Sequence, residues 1–259
     1  MLELTSDLPA GARTDGALDL LAQRMDCAQA HWYHGAAGDM ARDAKTGAIM
    51  TWAPRAGSVT ARPTEPNAGN SLLSEAGELS GLQCRPGKHC GQVAEAITDD
   101  ASHWTIAVIY LPPVGDDART LLTLNTAARA GSEGGGNYLF VSEVDGTLTV
   151  KDDAGGISIS TMLTPTEAPR LITVSLTGDT LALQVDGGLV LTTQGRAGMS
   201  GPGDLFIGCR SHRPRLHKTL GGALIMDVLF WPGLSLLTPR TEAERDQAMA
   251  LTSHMLWAF

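Results

Sequence analysis

Residues 171–193 constrain the fold of this chain more than any other part of the sequence. Residues 172–177 alternate between apolar and hydroxyl-bearing side chains, and apolar residues recur at every second position over 181–185. This period of two is typical of strands that bury one face. Gly178-Asp179 and Asp186-Gly187-Gly188 separate the runs and favour tight turns. The stretch therefore predicts an antiparallel meander of three strands, the last running from 189 to 193.

The rest of the chain extends this pattern. Trp104, Ile106, Val108 and Tyr110 alternate along another predicted strand, and they are expected in the core. Further strands are predicted at 48–53, 121–125, 137–143, 147–151, 204–208 and 223–231. Residues 60–80 are rich in Pro, Asn, Gly and Ser, which predicts a loop. About a dozen short strands with little helix between them predict an all-β fold of two antiparallel sheets packed face to face.

Both ends of the chain are predicted to be helical. Leu18, Leu21, Ala22 and Met25 share one face of a first helix, and Thr241 is the predicted N-cap of a last one. The sequence therefore predicts a division of the chain into three parts: a helical docking segment at 1–29, a sandwich at 30–237, and a C-terminal helix packed on the sandwich at 238–259.

Charge and hydropathy exclude some classes of function. The net charge of −9 argues against nucleic-acid binding, and the apolar run 223–237 is too interrupted to cross a bilayer. The first residues lack the pattern of a signal peptide, so we expect synthesis in the cytoplasm, with any release occurring inside an assembled particle. Free thiols are then favoured at the four cysteines, the alternative being a bond between Cys84 and Cys90.

Several strand ends resemble a known family. Asp186-Gly187 after Val185, the strand 205–208 ending in Gly, and Asp227 within 222–231 are similar to the closing half of a laminin G-like jelly roll of the concanavalin A-like superfamily. The stretches 47–52 and 55–57 are similar to its opening turn. The resemblance covers 30–237 and implies a jelly-roll sandwich. Members of the family include glycan-binding modules, adhesion domains, sialidase insertions and glycanases.

The glycanases of this superfamily share a Glu-x-Asp-x-x-Glu strand motif. Glu143-Val-Asp145 is the nearest match, but Leu148 replaces the last Glu and Asp145-Gly146 is typical of a hairpin turn. No serine-hydrolase, zinc-protease or phosphate-loop motif is present. The sequence therefore predicts that the protein is not an enzyme.

A basic loop near residue 210 is the strongest candidate for a ligand site in this acidic chain. Arginine binds carboxylate and sulfate groups in pairs of hydrogen bonds, so such a loop suits an anionic polysaccharide; a merely solvated loop is the alternative. An exposed tyrosine adds a ring on which a sugar can stack. The predicted recognition surface comprises the loops 112–119, 129–137 and 210–218. The predicted ligand-binding residues are Arg210, His212, Arg213, Arg215, His217, Asn137 and Tyr138.

No metal site or cofactor is predicted. Cys84, His89 and Cys90 lack further ligands at zinc spacing. The resemblance implies calcium as the one alternative, held by acidic pairs at strand ends such as Asp116-Asp117 or Asp152-Asp153; turn-forming aspartates are the favoured interpretation.

These observations predict a non-enzymatic glycan-binding and adhesion domain. We expect a spike or fibre component on the surface of a virion or phage-like particle, attaching to host capsular polysaccharide. A particle base protein and further copies of the chain are the expected protein partners, since weak sites gain from multivalency. The alternatives are a purely structural virion protein, or a glycan hydrolase or lyase with an unrecognised site.

Overall fold

The computed structural model describes residues 16–76, 79–126 and 137–258, with the backbone alone at 16–20, 76 and 253–258. Three 3₁₀ helices span Ala37–Asp39, Glu65–Asn67 and His217–Thr219. The α-helices and strands are α1 Gly16–Cys27, β1 His31–His34, β2 Met40–Arg42, β3 Ile49–Trp52, β4 Arg62–Pro63, β5 Leu72–Ala76, β6 Leu79–Cys84, β7 Gln92–Thr98, β8 His103–Leu111, β9 Arg119–Asn125, β10 Tyr138–Val144, β11 Thr147–Asp152, β12 Ser158–Met162, β13 Arg170–Thr177, β14 Thr180–Val185, β15 Leu191–Gln194, β16 Gly203–Ile207, β17 Ala223–Pro232 and α2 Glu242–Ala258.

Two antiparallel sheets form a sandwich. Sheet I has the order β15-β14-β13-β8-β17-β6-β5, with β1 also paired to β17, and sheet II has the order β12-β11-β10-β9-β16-β7-β4. A separate two-stranded ribbon joins β2 to β3. The predicted all-β sandwich with short terminal helices is confirmed.

The meander of residues 171–193 forms β13, β14 and β15 at one edge of sheet I. Ile172 pairs with Val185 across the first hairpin, in register with the predicted alternation. The second connection is longer than predicted, because the chain turns at 185–188 and β15 begins only at Leu191. The Gly188 N–H donates to the Val185 carbonyl at 2.9 Å, which closes that turn.

The predicted loop at 60–80 is wrong in part. The Leu72–Ala76 strand pairs with β6 along its whole length, and Arg62–Pro63 adds a short edge strand to sheet II. Turn-forming residues dominate the composition of this stretch, so the sequence pattern does not reveal its short edge strands. Tertiary pairing decided their structure.

The main core lies between the sheets. Trp104, Ile106, Val108 and Tyr110 are all buried there, as their alternation predicts. Burial of each such side chain stabilises the fold by roughly 1.5–3 kcal/mol. Their neighbours on the same strand, Thr105 and Ala107, therefore face the other side of sheet I.

The two helices cover that outer side of sheet I. Leu21 and Met25 of α1 are buried with Trp231 in a second apolar cluster. The Trp231 indole donates to Gln247 at 3.1 Å, and Gln247 donates to the Arg24 carbonyl at 2.9 Å, which ties α2 to β17 and α1. Within the described residues, neither helix has the length and hydropathy that a membrane crossing requires. The division at 29 and 237 stays a prediction.

Candidate functional site

The outer face of sheet II carries the most concentrated group of polar and aromatic side chains among the predicted site residues. Leu139 and Val141 of β10 point into the core. Because side chains alternate along a strand, Tyr138 and Phe140 point outward. Arg210 follows β16 after the two-residue link Gly208-Cys209, and this places its side chain over the neighbouring strands.

Arg210 stacks on Phe140. The guanidinium carbon lies 3.6 Å from the ring centroid, and Nε donates to the Thr120 hydroxyl at 3.2 Å. Burial lowers the pKa of Arg210, while the adjacent Tyr138 and Asp153 oppose that shift. A guanidinium remains charged at neutral pH, so this face holds a cation directly against an aromatic ring.

Tyr138 completes the group on the side of β11. Its ring centroid lies 6.1 Å from that of Phe140, and its hydroxyl donates to Asp153 Oδ1 at 2.6 Å. Burial raises the pKa of Tyr138, and the hydrogen bond to Asp153 adds to the effect. We call Arg210, Phe140, Tyr138, Asp153 and Thr120 the Arg210 cluster. It offers an aromatic surface, several N–H donors and one exposed carboxylate.

A buried hydroxyl lies next to the Arg210 cluster. Thr123 pairs with Phe140 on one side and with Phe206 on the other, so it belongs to the same outer face. Its hydroxyl is buried and has no hydrogen-bond partner among the described residues. Together these residues form a polar and aromatic row across three strands.

Within the described part of the chain, no hydrogen bond, ion pair or ring contact joins the remaining predicted residues of the basic loop to one another. His212 packs edge-on against Phe206, with centroids 5.2 Å apart, and its Nδ1 accepts from the Glu65 N–H at 3.3 Å. Arg213 and Arg215 are exposed, and neither side chain has a hydrogen bond or ion pair within the described part of the chain.

His217 lies at a different place, against the turn that follows β6. Its Nδ1 donates to the Gly87 carbonyl at 3.0 Å, and its ring lies 4.8 Å from that of His89. His89 in turn donates to the Pro214 carbonyl at 2.7 Å. These two histidines hold the basic loop to its neighbour, and none of their hydrogen bonds or ring contacts within the described residues is to the Arg210 cluster.

Asn137 has a structural role in the fold. It is buried, and its amide nitrogen donates to Asp152 at 2.8 Å and to the Ala197 carbonyl at 2.6 Å. Asp152 also accepts from the Ile157 N–H at 2.9 Å. The predicted loop 129–137 lies outside the described residues up to position 136.

The structure thus brings together two of the predicted residues, Arg210 and Tyr138, and adds Phe140, Thr120 and Asp153. Phe140 could have been found from its spacing, because it falls two positions after Tyr138. The contacts of Thr120 and Asp153 depend on strand order, which leaves no signal in a local pattern.

Two residues of the partial glycanase motif, Glu143 and Asp145, have structural roles in the fold. Glu143 accepts a hydrogen bond from the Tyr110 hydroxyl at 2.5 Å. Asp145 adopts a positive φ of 50° in the hairpin turn, as predicted for Asp145-Gly146. Among the described residues, no three His, Cys, Asp or Glu side chains are arranged to hold a metal ion.

Parts of two solved structures are similar in fold to this chain. No model of a protein family matches the sequence. No curated protein matches it either. Among solved structures, a Trypanosoma rangeli sialidase in complex with sialic acid matches 88% of this chain with a TM-score of 0.55 and 13% identity. An arabinofuranosidase complexed with arabinofuranosyl-alpha-1,2-xylobiose matches 80% of it with a TM-score of 0.54 and 11% identity.

These likenesses define the class of fold. The chain spans about a third of the sialidase (33%) and about half of the arabinofuranosidase (51%). At such low identity the comparison shows a shared sandwich, and a concanavalin A-like jelly roll fits it.

One prediction is corrected by the comparisons. The expectation that the protein is not an enzyme is contradicted by the fold, which this chain shares with parts of a sialidase and an arabinofuranosidase. The incomplete motif at Glu143 therefore does not decide against catalysis.

Proposed function

We propose that this protein is a carbohydrate-binding domain that holds a glycan at the Arg210 cluster. The observation that carries the proposal is the stacking of Arg210 on Phe140 at 3.6 Å, beside the partly exposed ring of Tyr138. An arginine fixed in this way is oriented before a ligand arrives, which lowers the entropy lost on binding.

The chemistry of the cluster favours an acidic glycan. A guanidinium has five N–H donors in one plane, which match the two oxygens of a carboxylate or sulfate. Tyr138 offers a ring face for a sugar, and Asp153 can accept from sugar hydroxyls. The exposed Arg213 and Arg215 add positive charge to the loop that begins at Arg210, which attracts an anionic chain to this part of an otherwise acidic protein.

The biological role that suits this chemistry is attachment to cell-surface polysaccharide. In this proposal the chain is an adhesion component on the surface of a phage-like particle, and several copies act together on one host capsule. Repeated weak sites raise the overall affinity without new contacts. The helices α1 and α2 are the elements proposed to dock on a base protein.

Binding to isolated polysaccharide tests the site. We expect wild-type protein to bind acidic capsular polysaccharide, measured by titration calorimetry with and without calcium. Arg210→Gln should weaken binding at least about tenfold, because it removes a charge-assisted pair of hydrogen bonds. Arg245→Gln on α2 is the matched control, since it makes the same charge change at an exposed position on the other side of the sandwich.

The outcomes separate the alternatives. Equal losses for Arg210→Gln and Arg245→Gln would indicate a non-specific charge effect and would refute the site. Failure of the wild type to bind any glycan on an array would favour a purely structural protein. Both variants should keep the wild-type melting temperature within a few degrees, which shows that they are folded.

Cleavage of a bound glycan is the second candidate function. The shared fold with a sialidase and an arabinofuranosidase favours it. An assay of reducing ends after incubation with the polysaccharide tests it directly. A number of reducing ends that grows with time would assign a cleavage activity. A constant number would leave binding as the function.

A further inference from the structure

A cavity of about 360 Å³ lies on the far side of the sandwich, between the outer face of sheet I and helix α2. Its walls are mostly apolar and include Leu171 of β13, Leu236 of the segment before α2, and Ala248 and Leu251 of the helix. This volume falls at the lower end of the range for small-molecule sites, roughly 300–1,000 Å³.

One side chain in the cavity wall has an unsatisfied polar group. Thr173 is 1% exposed, and its hydroxyl has no hydrogen-bond partner among the described residues. Its neighbours Ile172 and Val174 lie in the core between the sheets, so Thr173 faces the other way, toward the cavity that it lines. An unpaired buried hydroxyl costs about 1–3 kcal/mol, so its presence calls for an explanation.

The neighbouring hydroxyls of the same face show what Thr173 lacks. Ser175 and Thr105 bond to each other at 2.7 Å. The Leu237 N–H donates to Ser175 at 3.3 Å, and the Leu236 N–H donates to Thr105 at 3.0 Å. The backbone N–H groups of the segment before α2 therefore satisfy these two hydroxyls. Among the described residues no such group reaches the Thr173 hydroxyl, and the cavity lies beside this residue instead.

Two polar side chains at the rim, Gln184 and Asp186, present acceptor oxygens. Gln184 uses its amide nitrogen to donate to the Gly188 carbonyl at 2.8 Å, which leaves its amide oxygen as the polar group available. Asp186 Oδ1 accepts from the Leu171 N–H at 2.8 Å, and Oδ2 of this exposed carboxylate lies 3.7 Å from the Arg170 guanidinium. These groups and the net charge of −9 disfavour an anion and favour a ligand that donates.

We infer that this cavity binds a small uncharged molecule that is mainly apolar and has one hydroxyl group, such as an aryl alcohol. The hydrocarbon part lies against Leu171, Leu236 and Leu251, and the hydroxyl bonds with Thr173. This site is on the opposite sheet from the Arg210 cluster, so it is independent of the glycan proposal.

Fluorine NMR with two matched probes tests the inference. The full-length protein is titrated with para-fluorophenol and, separately, with fluorobenzene, which has the same ring without the hydroxyl. We expect para-fluorophenol to bind about tenfold more tightly, because only it can pair with the Thr173 hydroxyl.

Variants locate the binding. Thr173→Val keeps the shape of the side chain and should abolish the difference between the two probes. Thr177→Val is the matched control, since Thr177 is on the same face of β13, also has a buried unpaired hydroxyl, and does not line the cavity. Ala248→Trp fills the cavity from the helix side and should abolish binding of both probes.

Each outcome decides the proposal. A preference for para-fluorophenol that is lost in Thr173→Val and kept in Thr177→Val supports it. Equal binding of the two probes, no binding by the wild type, or binding that survives both Thr173→Val and Ala248→Trp overturns it. Melting curves show that each variant is folded; should Ala248→Trp unfold, the Thr173 and Thr177 pair still decides.

Discussion

Arg210 and Phe140 form a stacked pair on the outer face of sheet II, with the guanidinium carbon 3.6 Å from the ring centroid. The two residues are 70 positions apart in the sequence. They meet because β10 and β16 both pair with β9, one on each side. The pairing of three strands therefore creates the candidate site, and the loop at 208–222 supplies only the cation.

Replacement of Arg210 by lysine should cost stability even though it keeps the charge. An ammonium group lacks the planar surface that stacks on Phe140, and it cannot keep the Nε bond to Thr120. We expect Arg210→Lys to lower the free energy of unfolding by about 1 kcal/mol in urea denaturation. Arg215→Lys, at an exposed position of the same loop, should change it by less than about 0.5 kcal/mol. Equal stabilities of the two variants would contradict the stacking.

The three tyrosines should ionise late in the folded protein. Burial raises the pKa of Tyr33, Tyr110 and Tyr138 above the ordinary value of 10. The folded pKa exceeds the unfolded one, so this stabilisation is complete below pH 10 and is lost as the pH rises through the folded values. Phenolate absorbance should therefore appear mainly with unfolding. If the tyrosines of the native protein were half-ionised at pH 10, the buried environments of these side chains would be refuted.

Much of the fold could be predicted from the sequence because its cause is local. Alternation along Trp104–Tyr110 and along 172–177 follows directly from one buried face, and a capped helix at Thr241 follows from its first turn. The strands at Leu72–Ala76 and Arg62–Pro63 could not be predicted, because they are short edges in a stretch with the composition of a loop. Only their partners define them.

The candidate site was predictable only in part, for the same reason. Arg210 and Tyr138 are conspicuous as residue types, but the stacking partner and the carboxylate come from other strands. Asn137 and His217 are equally conspicuous polar residues near turns, and the structure uses both to hold loops together. Residue type alone does not separate a ligand contact from such an internal bond.

Asn137 provides a test of that distinction. Its amide bonds to Asp152 and to the Ala197 carbonyl are buried, so Asn137→Ala should lower the free energy of unfolding by about 1–3 kcal/mol. Glycan binding per folded molecule should be unchanged. Denaturation and calorimetry on the same samples measure the two effects. Unchanged stability together with lost binding would restore Asn137 as a ligand contact.

Gly91 should not tolerate a side chain. A Cβ atom there would overlap with Cys209 Sγ and would lie 3.1 Å from the Ile207 carbonyl oxygen. Both neighbours are buried, so Gly91→Ala should destabilise the protein by at least about 2 kcal/mol through overpacking. Gly38→Ala has open space around the new atom and should be close to neutral. Similar melting temperatures for the two variants would contradict this packing.

Glu244 should make the attachment of α2 sensitive to acid. Its carboxylate accepts the backbone N–H groups of Ser235, Arg240 and Thr241 at 2.7–2.9 Å. Burial alone would raise the pKa of Glu244, but these bonds outweigh it and lower the pKa from 4.5 to about 2. Because the folded pKa lies below the unfolded one, this stabilisation is present above pH 4.5 and is lost as the pH falls toward about 2.

Glu244→Gln measures that contribution. The variant should be less stable than the wild type at neutral pH, by about 1–3 kcal/mol, since a neutral amide oxygen accepts more weakly than a carboxylate. The difference should shrink below pH 4.5 as the wild-type carboxyl protonates. Repeating the comparison in a His103→Gln background removes the imidazole 3.8 Å from Glu244 Oε1 as a second source of pH dependence. A difference that stays constant down to pH 2 would show that Glu244 acts through its shape and not through its charge.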